Sequence, residues 1–347
     1  MMNPENRSRL NQIPASESLR SCERLKPGYK LLLAGPGFLG GFAFKEVGRI
    51  NEILKSVGDF DEALARTLLY EYFSIHSLFS RMVGKENIVV IKTSTIEVKS
   101  STNNMIAALK RVQFPDNSEF KQIDADFLSQ GYLNWPRDAY TLLDDKLMVD
   151  STALKINGDN IIKSSLGEGG QVLVRKKAIL VTPGIWKYNK TEINSLQGQG
   201  YRVGYLPFVD ETKQKYDFME THIDGHSTLI EDREGKLNLI VADSYSRQGN
   251  NTRKFIRRAA ETIGAEMIEV DDRNLPPLAF NVLQFEDNSI AMTNSKAKDL
   301  ELTIYDLVGN DKVFTTEVPL INVPKLTLGG IRCLTNTIPN WVLNKYN

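Results

Sequence analysis

The chain has 347 residues, 41% hydrophobic and 25% charged, with 43 basic side chains balanced by 43 acidic ones. That length is long for one compact domain and short for three, and a chain of this size buries about three quarters of its unfolded surface without staples. A net charge of zero gives no electrostatic footprint for nucleic acid or an anionic membrane, which sets aside the strongly basic binding classes.

The first 28 residues are polar, with no basic start leading straight into an apolar run, so no secretory leader is expected. Residues 1–25 read as a disordered polar tail and residues 26–347 as a single domain. Cys22 and Cys333 are the only cysteines, too few and too far apart for a disulfide framework, and a reducing, cytoplasmic setting is the default. Residues 29–44 read as a buried strand and a glycine-rich turn, too short and too broken by glycine to span a bilayer. Gly35-Pro36-Gly37-Phe38-Leu39-Gly40 fits a G-x-G-x-x-G fingerprint. A dinucleotide site needs a helix to begin there, and Gly41 with Phe42 to Phe44 starts one poorly, so no nucleotide is expected.

Residues 59–83 predict a helix, with Leu64, Leu68, Tyr72, Ile75 and Phe79 recurring at three- and four-residue steps. Ile88 to Lys92 predicts a short buried strand. From about residue 167 a strand-strand-helix-strand pattern recurs. One unit takes strands over 171–174 and 178–181, a helix near 190–199 and a strand over 202–207. The next takes 227–231, 237–242, a helix over 252–263 and 266–270. A third takes 282–285, 289–293, a helix near 298–308 and 312–317. Such units bury their apolar faces only against neighbours. Arg253, Lys254, Arg257 and Arg258 gather on the helix over 252–263 and read as a solvated face.

Four segments carry candidate chemistry. They are Trp135-Pro136-Arg137-Asp138, Gly167-Glu168-Gly169-Gly170, Glu220 to His226, and Gly329-Gly330-Ile331-Arg332-Cys333. Glu168, His222 and Cys333 fall near unit starts, which would bring them to equivalent places around one pocket. A cysteine becomes nucleophilic only as thiolate, beside positive charge or a base. Arg332 adjoins Cys333, although successive strand side chains point to opposite faces. In a strand, Glu220, His222, Asp224 and His226 would share a face. That face could ligate a metal, or it could pair an acid/base histidine with a cation-binding carboxylate, and the second reading is preferred because no thiol or distant histidine completes a metal set. Arg137 and Asp138 could be a local ion pair as readily as site residues.

Taken in order, the four segments resemble those of the guanidino-group-modifying enzymes: arginine, agmatine and dimethylarginine hydrolases together with amidinotransferases. The resemblance covers about residues 130–340 by motif. It implies the pentein fold, a five-fold pseudo-symmetric α/β propeller of strand-strand-helix-strand units. It also implies Cys333 as nucleophile, His222 as general acid/base, Glu168 as the carboxylate that holds the histidine, and Asp138 with Asp224 as the grip on a guanidinium. Arg137 and Arg332 are further candidates for substrate binding, and Arg332 precedes the cysteine as in arginine deiminases. The implied activity is a cofactor-free, metal-free hydrolase on the guanidino carbon–nitrogen bond of arginine or a close derivative. An amidinotransferase, or a binding protein without turnover, stands as the alternative. The expected partner is a small guanidino molecule, with no nucleic acid or membrane, and a homo-oligomer is compatible with the sequence.

Overall fold

A computed structural model of the protein describes residues 24–35, 62–92, 120–124, 128, 136–144, 146–149, 158–167, 169–207, 222–249, 251–295, 298–327 and 329–345. The architecture is mixed α/β, with five small sheets among the described residues. The strands, in chain order, are β1 Tyr29–Leu33, β2 Ile88–Lys92, β3 Lys121–Asp124, β4 Tyr140–Leu143, β5 Lys146–Val149, β6 Ile161–Lys163, β7 Val172–Arg175, β8 Ala178–Val181, β9 Arg202–Tyr205, β10 Ser227–Glu231, β11 Leu237–Ala242, β12 Ala265–Val270, β13 Leu283–Gln284, β14 Ile290–Met292, β15 Val313–Thr315 and β16 Thr335–Pro339. The first two strands of each unit pair antiparallel and the third joins in parallel. In the unit of β10 to β12, Leu229 faces Leu239 and Leu239 faces Met267. The same order holds for β4-β5-β6, β7-β8-β9 and β13-β14-β15. The fifth sheet joins distant parts of the chain. There β16 runs antiparallel to β1, with Asn336 opposite Leu32, and β2 and β3 follow in parallel.

The three expected repeats are therefore present, with strand ends shifted by one or two residues. The local sequence pattern located three of the five sheets and left two unplaced. One is β4-β5-β6, whose hairpin turns at Asp144 with φ of 53° rather than at a glycine. The other is the sheet closed by β16 and β1, because long-range pairing leaves no local signal. The tail expected over 1–25 lies outside the described residues as far as 23. Arg24 and Leu25 are packed, with Leu25 in the core and Arg24 bonded to Asp287 at 3.4 Å. Beyond Gly35, the glycine-rich fingerprint also lies outside the described residues.

Strands β1 and β2 explain why their runs are apolar without alternation. Leu31, Leu33, Ile88 and Val90 enter one core with the helix Glu62–Val83. Leu32, Val89 and Ile91 enter another with Tyr140, Val149 and Ile338. A strand covered on both faces needs hydrophobes at every position. The helix begins at Glu62 within the described residues and buries Leu68, Tyr72, Ile75 and Phe79 along one stripe. The helix Thr252–Ile263 buries Ile256, Ala259, Ala260 and Ile263, which leaves its four basic side chains exposed.

His76 sits on the inner stripe of the first helix, against Tyr72 at 4.4 Å and Phe120 at 5.2 Å between ring centroids. Both of its ring nitrogens are buried without a hydrogen-bond partner among the described residues. Burial pushes its pKa down to about 3. The unfolded chain binds a proton at this histidine below about pH 6.5 and the folded chain does not, so stability falls with acid. The expected loss is about 1.4 kcal/mol per pH unit on descending from pH 6.5 towards 3. Urea unfolding at several pH values checks this, since His76→Phe should flatten the acid limb by about that slope.

Candidate active site

Each chemistry-bearing segment lies within three residues of the strand that opens a sheet. Asp138 precedes β4, Gly169 and Gly170 precede β7, Asp224 precedes β10 and Cys333 precedes β16. The starts of the units are thus where the chain leaves regular pairing and can turn side chains inward. Glu168, Glu220 and Trp135 lie outside the described residues.

The segment 331–334 is a turn rather than a strand. That corrects the expectation that Arg332 and Cys333 point apart, since both reach Asp224. The Arg332 guanidinium donates from Nη1 to Asp224 Oδ2 at 2.7 Å and to the Gly169 carbonyl at 2.8 Å, and from Nη2 to the Val172 carbonyl at 2.9 Å. The Cys333 thiol lies 3.8 Å from the same Asp224 oxygen. Both members of the ion pair are almost fully buried, at 5% and 2% side-chain exposure.

The segment 223–225 is likewise a turn, of 3-10 type, and β10 begins only at Ser227. The strand face expected to carry His222, Asp224 and His226 together is not formed there. The Ser227 hydroxyl donates to the Ile223 carbonyl at 2.7 Å and holds this turn closed. His222 and Asp224 are both buried, whereas His226 is only partly buried and stacks beside Tyr245 with ring centroids 5.9 Å apart. Among the described residues no three histidine, cysteine or acidic side chains group as metal ligands.

The glycines around Glu168 have a steric reason. A methyl on Gly170 would overlap the His222 imidazole, and one on Gly169 would overlap the Arg137 carbonyl. The backbone of this segment therefore lies flush against two candidate side chains, a distance only glycine allows.

Asp138 and Arg137 lie in the short helix Pro136–Ala139. Asn336 ties that helix to β16: its amide donates to the Pro136 and Tyr140 carbonyls at 3.0 and 2.9 Å, and its carbonyl accepts from Arg137 Nη1 at 3.3 Å. Burial pushes the Arg137 pKa down to about 9, with the charge of Arg332 adding to the effect. At neutral pH Arg137 keeps its charge.

Electrostatics at the sulfur favour the thiol. Burial pushes the Cys333 pKa up, and the charges of Asp224 and then Asp138 add to it, against smaller opposing effects of the Gly330 backbone and Arg332. The two carboxylates thus outweigh the arginine at that atom, and a further cation beside them would favour thiolate.

One residue escaped the sequence reading. Asn281 is 2% exposed and stands within three residues of β13, the repeat-equivalent place in the remaining unit. Its amide nitrogen donates to Asp224 Oδ2 at 2.9 Å and to Cys333 Sγ at 3.1 Å. A polar residue inside the apolar run Phe280-Asn281-Val282, at the position other units reserve for site residues, was the available signal.

The helix Asn322–Thr327, which precedes Cys333 in the chain, is anchored from afar. Glu71, buried in the first helix, accepts backbone N–H bonds from Ile321 at 3.1 Å, Asn322 at 2.9 Å and Val323 at 2.8 Å. These are orphan donors at the start of the helix Asn322–Thr327, so the carboxylate acts as its cap.

Neither a family model nor a curated protein matches the chain. Solved structures do. Agmatine deiminase from C. jejuni shares 14% identity over 92% of this chain and 94% of that one, with a TM-score of 0.50. A cysteine-to-serine variant of that deiminase with substrate bound shares 13% identity over 92% and 95%, also at 0.50. An amidinotransferase from Microseira wollei shares 11% identity over 91% and 96%, at 0.46. At these identities the likeness is one of fold. The chain shares the mixed α/β fold of agmatine deiminase. The first two structures, each spanned almost end to end, carry that statement.

Proposed function

We propose that the protein is a hydrolase acting on the guanidino carbon–nitrogen bond of arginine or a close derivative, through a covalent adduct on Cys333. Residues 26–347 act as one catalytic domain, a five-fold pseudo-symmetric pentein propeller whose unit starts converge on the site. The setting is cytoplasmic, consistent with a free, buried Cys333.

The single observation that carries this reading is the buried thiol set against two carboxylates, with its sulfur 3.8 Å from Asp224. Asp138 and Asp224 receive a planar guanidinium by charge-assisted hydrogen bonds and hold its central carbon against the sulfur. Arrival of that cation offsets the two acids, so the thiolate forms only when substrate is present, its proton passing to His222. The sulfur–carbon bond forms, one carbon–nitrogen bond breaks, and His222 gives the departing amine its proton. Water, deprotonated by His222, then attacks the same carbon and releases the thiolate and a ureido product. Glu168 holds His222 in orientation. Arg332 pairs with Asp224 and holds it in place, and Arg137 lines the same cluster.

The test is an assay of ammonia and ureido product over arginine, agmatine, methylated arginines and acylated arginines. Release of both from at least one compound is expected. Formation of a new guanidino compound from added glycine, ornithine or lysine would make the chain an amidinotransferase. Binding by calorimetry with no product from any member would make it a binding protein.

A further inference from the structure

We propose that Asn281 is a catalytic residue of this site, whose side-chain amide stabilises the Cys333 thiolate by donating to the sulfur. Its catalytic consequence rests on Cys333 being the nucleophile, as proposed above.

The geometry uses all four hydrogen-bonding functions of one amide. Oδ1 accepts the backbone N–H of Arg332 at 2.7 Å and that of Cys333 at 3.1 Å. With two donors on that side, the oxygen must face them, and the NH2 group must face Asp224 and the sulfur. One of its two hydrogens goes to Asp224 Oδ2 at 2.9 Å and the other to Cys333 Sγ at 3.1 Å. No other residue type of this size supplies two acceptor sites and two donors at once. The amide therefore sets the backbone that carries the sulfur and, with its other end, offers the sulfur a donor.

The neighbourhood is shaped around this contact. A methyl on Gly330 would come within 2.6 Å of Asn281 Oδ1. Asn281 donates its own N–H to the carbonyl of Leu278 at 3.0 Å. Leu278 holds φ of 56°, a left-handed conformation rarely taken by a branched residue. Such a conformation persists where the surroundings impose it, and sites of chemistry are where it collects.

A neutral donor matters here because the carboxylates beside the sulfur oppose its ionisation. Asp224 and Asp138 disfavour the thiolate, and this outweighs the favourable effects of the Gly330 backbone and of Arg332, itself bonded to Asp224. Arg137 is bonded to Asn336, and His222 lies on the turn that presents Asp224. A hydrogen bond to the charged form favours it, and Asn281 makes that bond without adding charge.

The test needs no substrate. The protein with Cys22 replaced by serine has Cys333 as its one thiol, and its rate of alkylation by iodoacetamide is followed against pH. Asn281→Asp is isosteric and keeps both acceptor sites while losing the donors, and its added carboxylate acts in the same direction, so the uncharged Asn281→Ser is the variant that isolates the donor. It is expected to slow labelling at a given alkaline pH about tenfold to a hundredfold and to move the profile towards higher pH. Asn281→Ser, which is smaller, is expected to shift the profile in the same direction by less. An unchanged profile in a folded variant would overturn the proposal. Failure of both variants to fold would assign Asn281 a purely structural role and overturn it as well.

Where a substrate has been found, kcat of Asn281→Asp should fall without a rise in KM, a split that general loosening of the site does not give. A shifted alkylation profile in a protein that turns over no guanidino compound would uphold Asn281 and reject the proposed reaction, so the two failures are distinguishable.

Discussion

Cys333→Ser is expected to lower guanidino turnover by roughly 10³-fold or more while leaving the fold and substrate binding in place. Serine fits the buried site and can still accept from the Asn281 amide that now meets the sulfur. It cannot serve as the thiolate does, because a hydroxyl ionises far less readily than a thiol. Asp138 and Asp224, the proposed grip on the cation, are untouched. Steady-state ammonia release and calorimetric titration read the two halves separately. Turnover within tenfold of the parent would show that the nucleophile is elsewhere. Loss of binding together with turnover would mean that the serine disturbed the site.

The largest effect on stability is expected at Asp224. Asp224→Ala removes the one carboxylate bonded to Arg332 among the described residues, and the Arg332 guanidinium is almost wholly buried. The carbonyls of Gly169 and Val172 still accept from it, but no other described carboxylate pairs with its charge. Removing one partner of a buried pair costs about 3–5 kcal/mol, more than the pair contributes over an apolar replacement. Urea unfolding should show a loss in that range. A loss below about 1 kcal/mol would mean that Arg332 finds water or another acid. Asp224→Asn separates charge from shape: it should destabilise less, and because Asp224 raises the Cys333 pKa, it should make the thiol easier to alkylate at a given pH. Both variants should lose turnover.

Much of this arrangement could be read from local pattern, and what could not be read was non-local. The helix Glu62–Val83 and the strands β2, β8, β10 and β11 declare themselves through periodicity and apolar runs. The order of Asp138, His222, Asp224 and Cys333 along the chain pointed to the chemistry, and the structure gathers Asp138, Asp224 and Cys333 closely enough for their charges to act on one another. The geometry at 223–225 and 331–334 was misjudged because turns there replace the expected strands, and a turn lets neighbours such as Arg332 and Cys333 face the same carboxylate. Glu71 was not singled out because a helix cap supplied from 250 residues away has no spacing to detect. Asn281 was missed because an asparagine between Phe280 and Val282 carries no chemistry of its own. Its meaning comes from the repeat, which puts it level with Asp138 and Cys333.

The pairing of β16 with β1 has a consequence for how the protein fails. Cys333 sits immediately ahead of β16, and Asn336 within that strand pins the Arg137 helix. The large core around β10, β11 and the helix Thr252–Ile263 takes no residue from either strand. Peeling the seam open would therefore scatter the reactive groups while the core around β10 and β11 stays shut. Inactivation by heat or denaturant should run ahead of global melting, and an enzyme that has gone silent can still look folded.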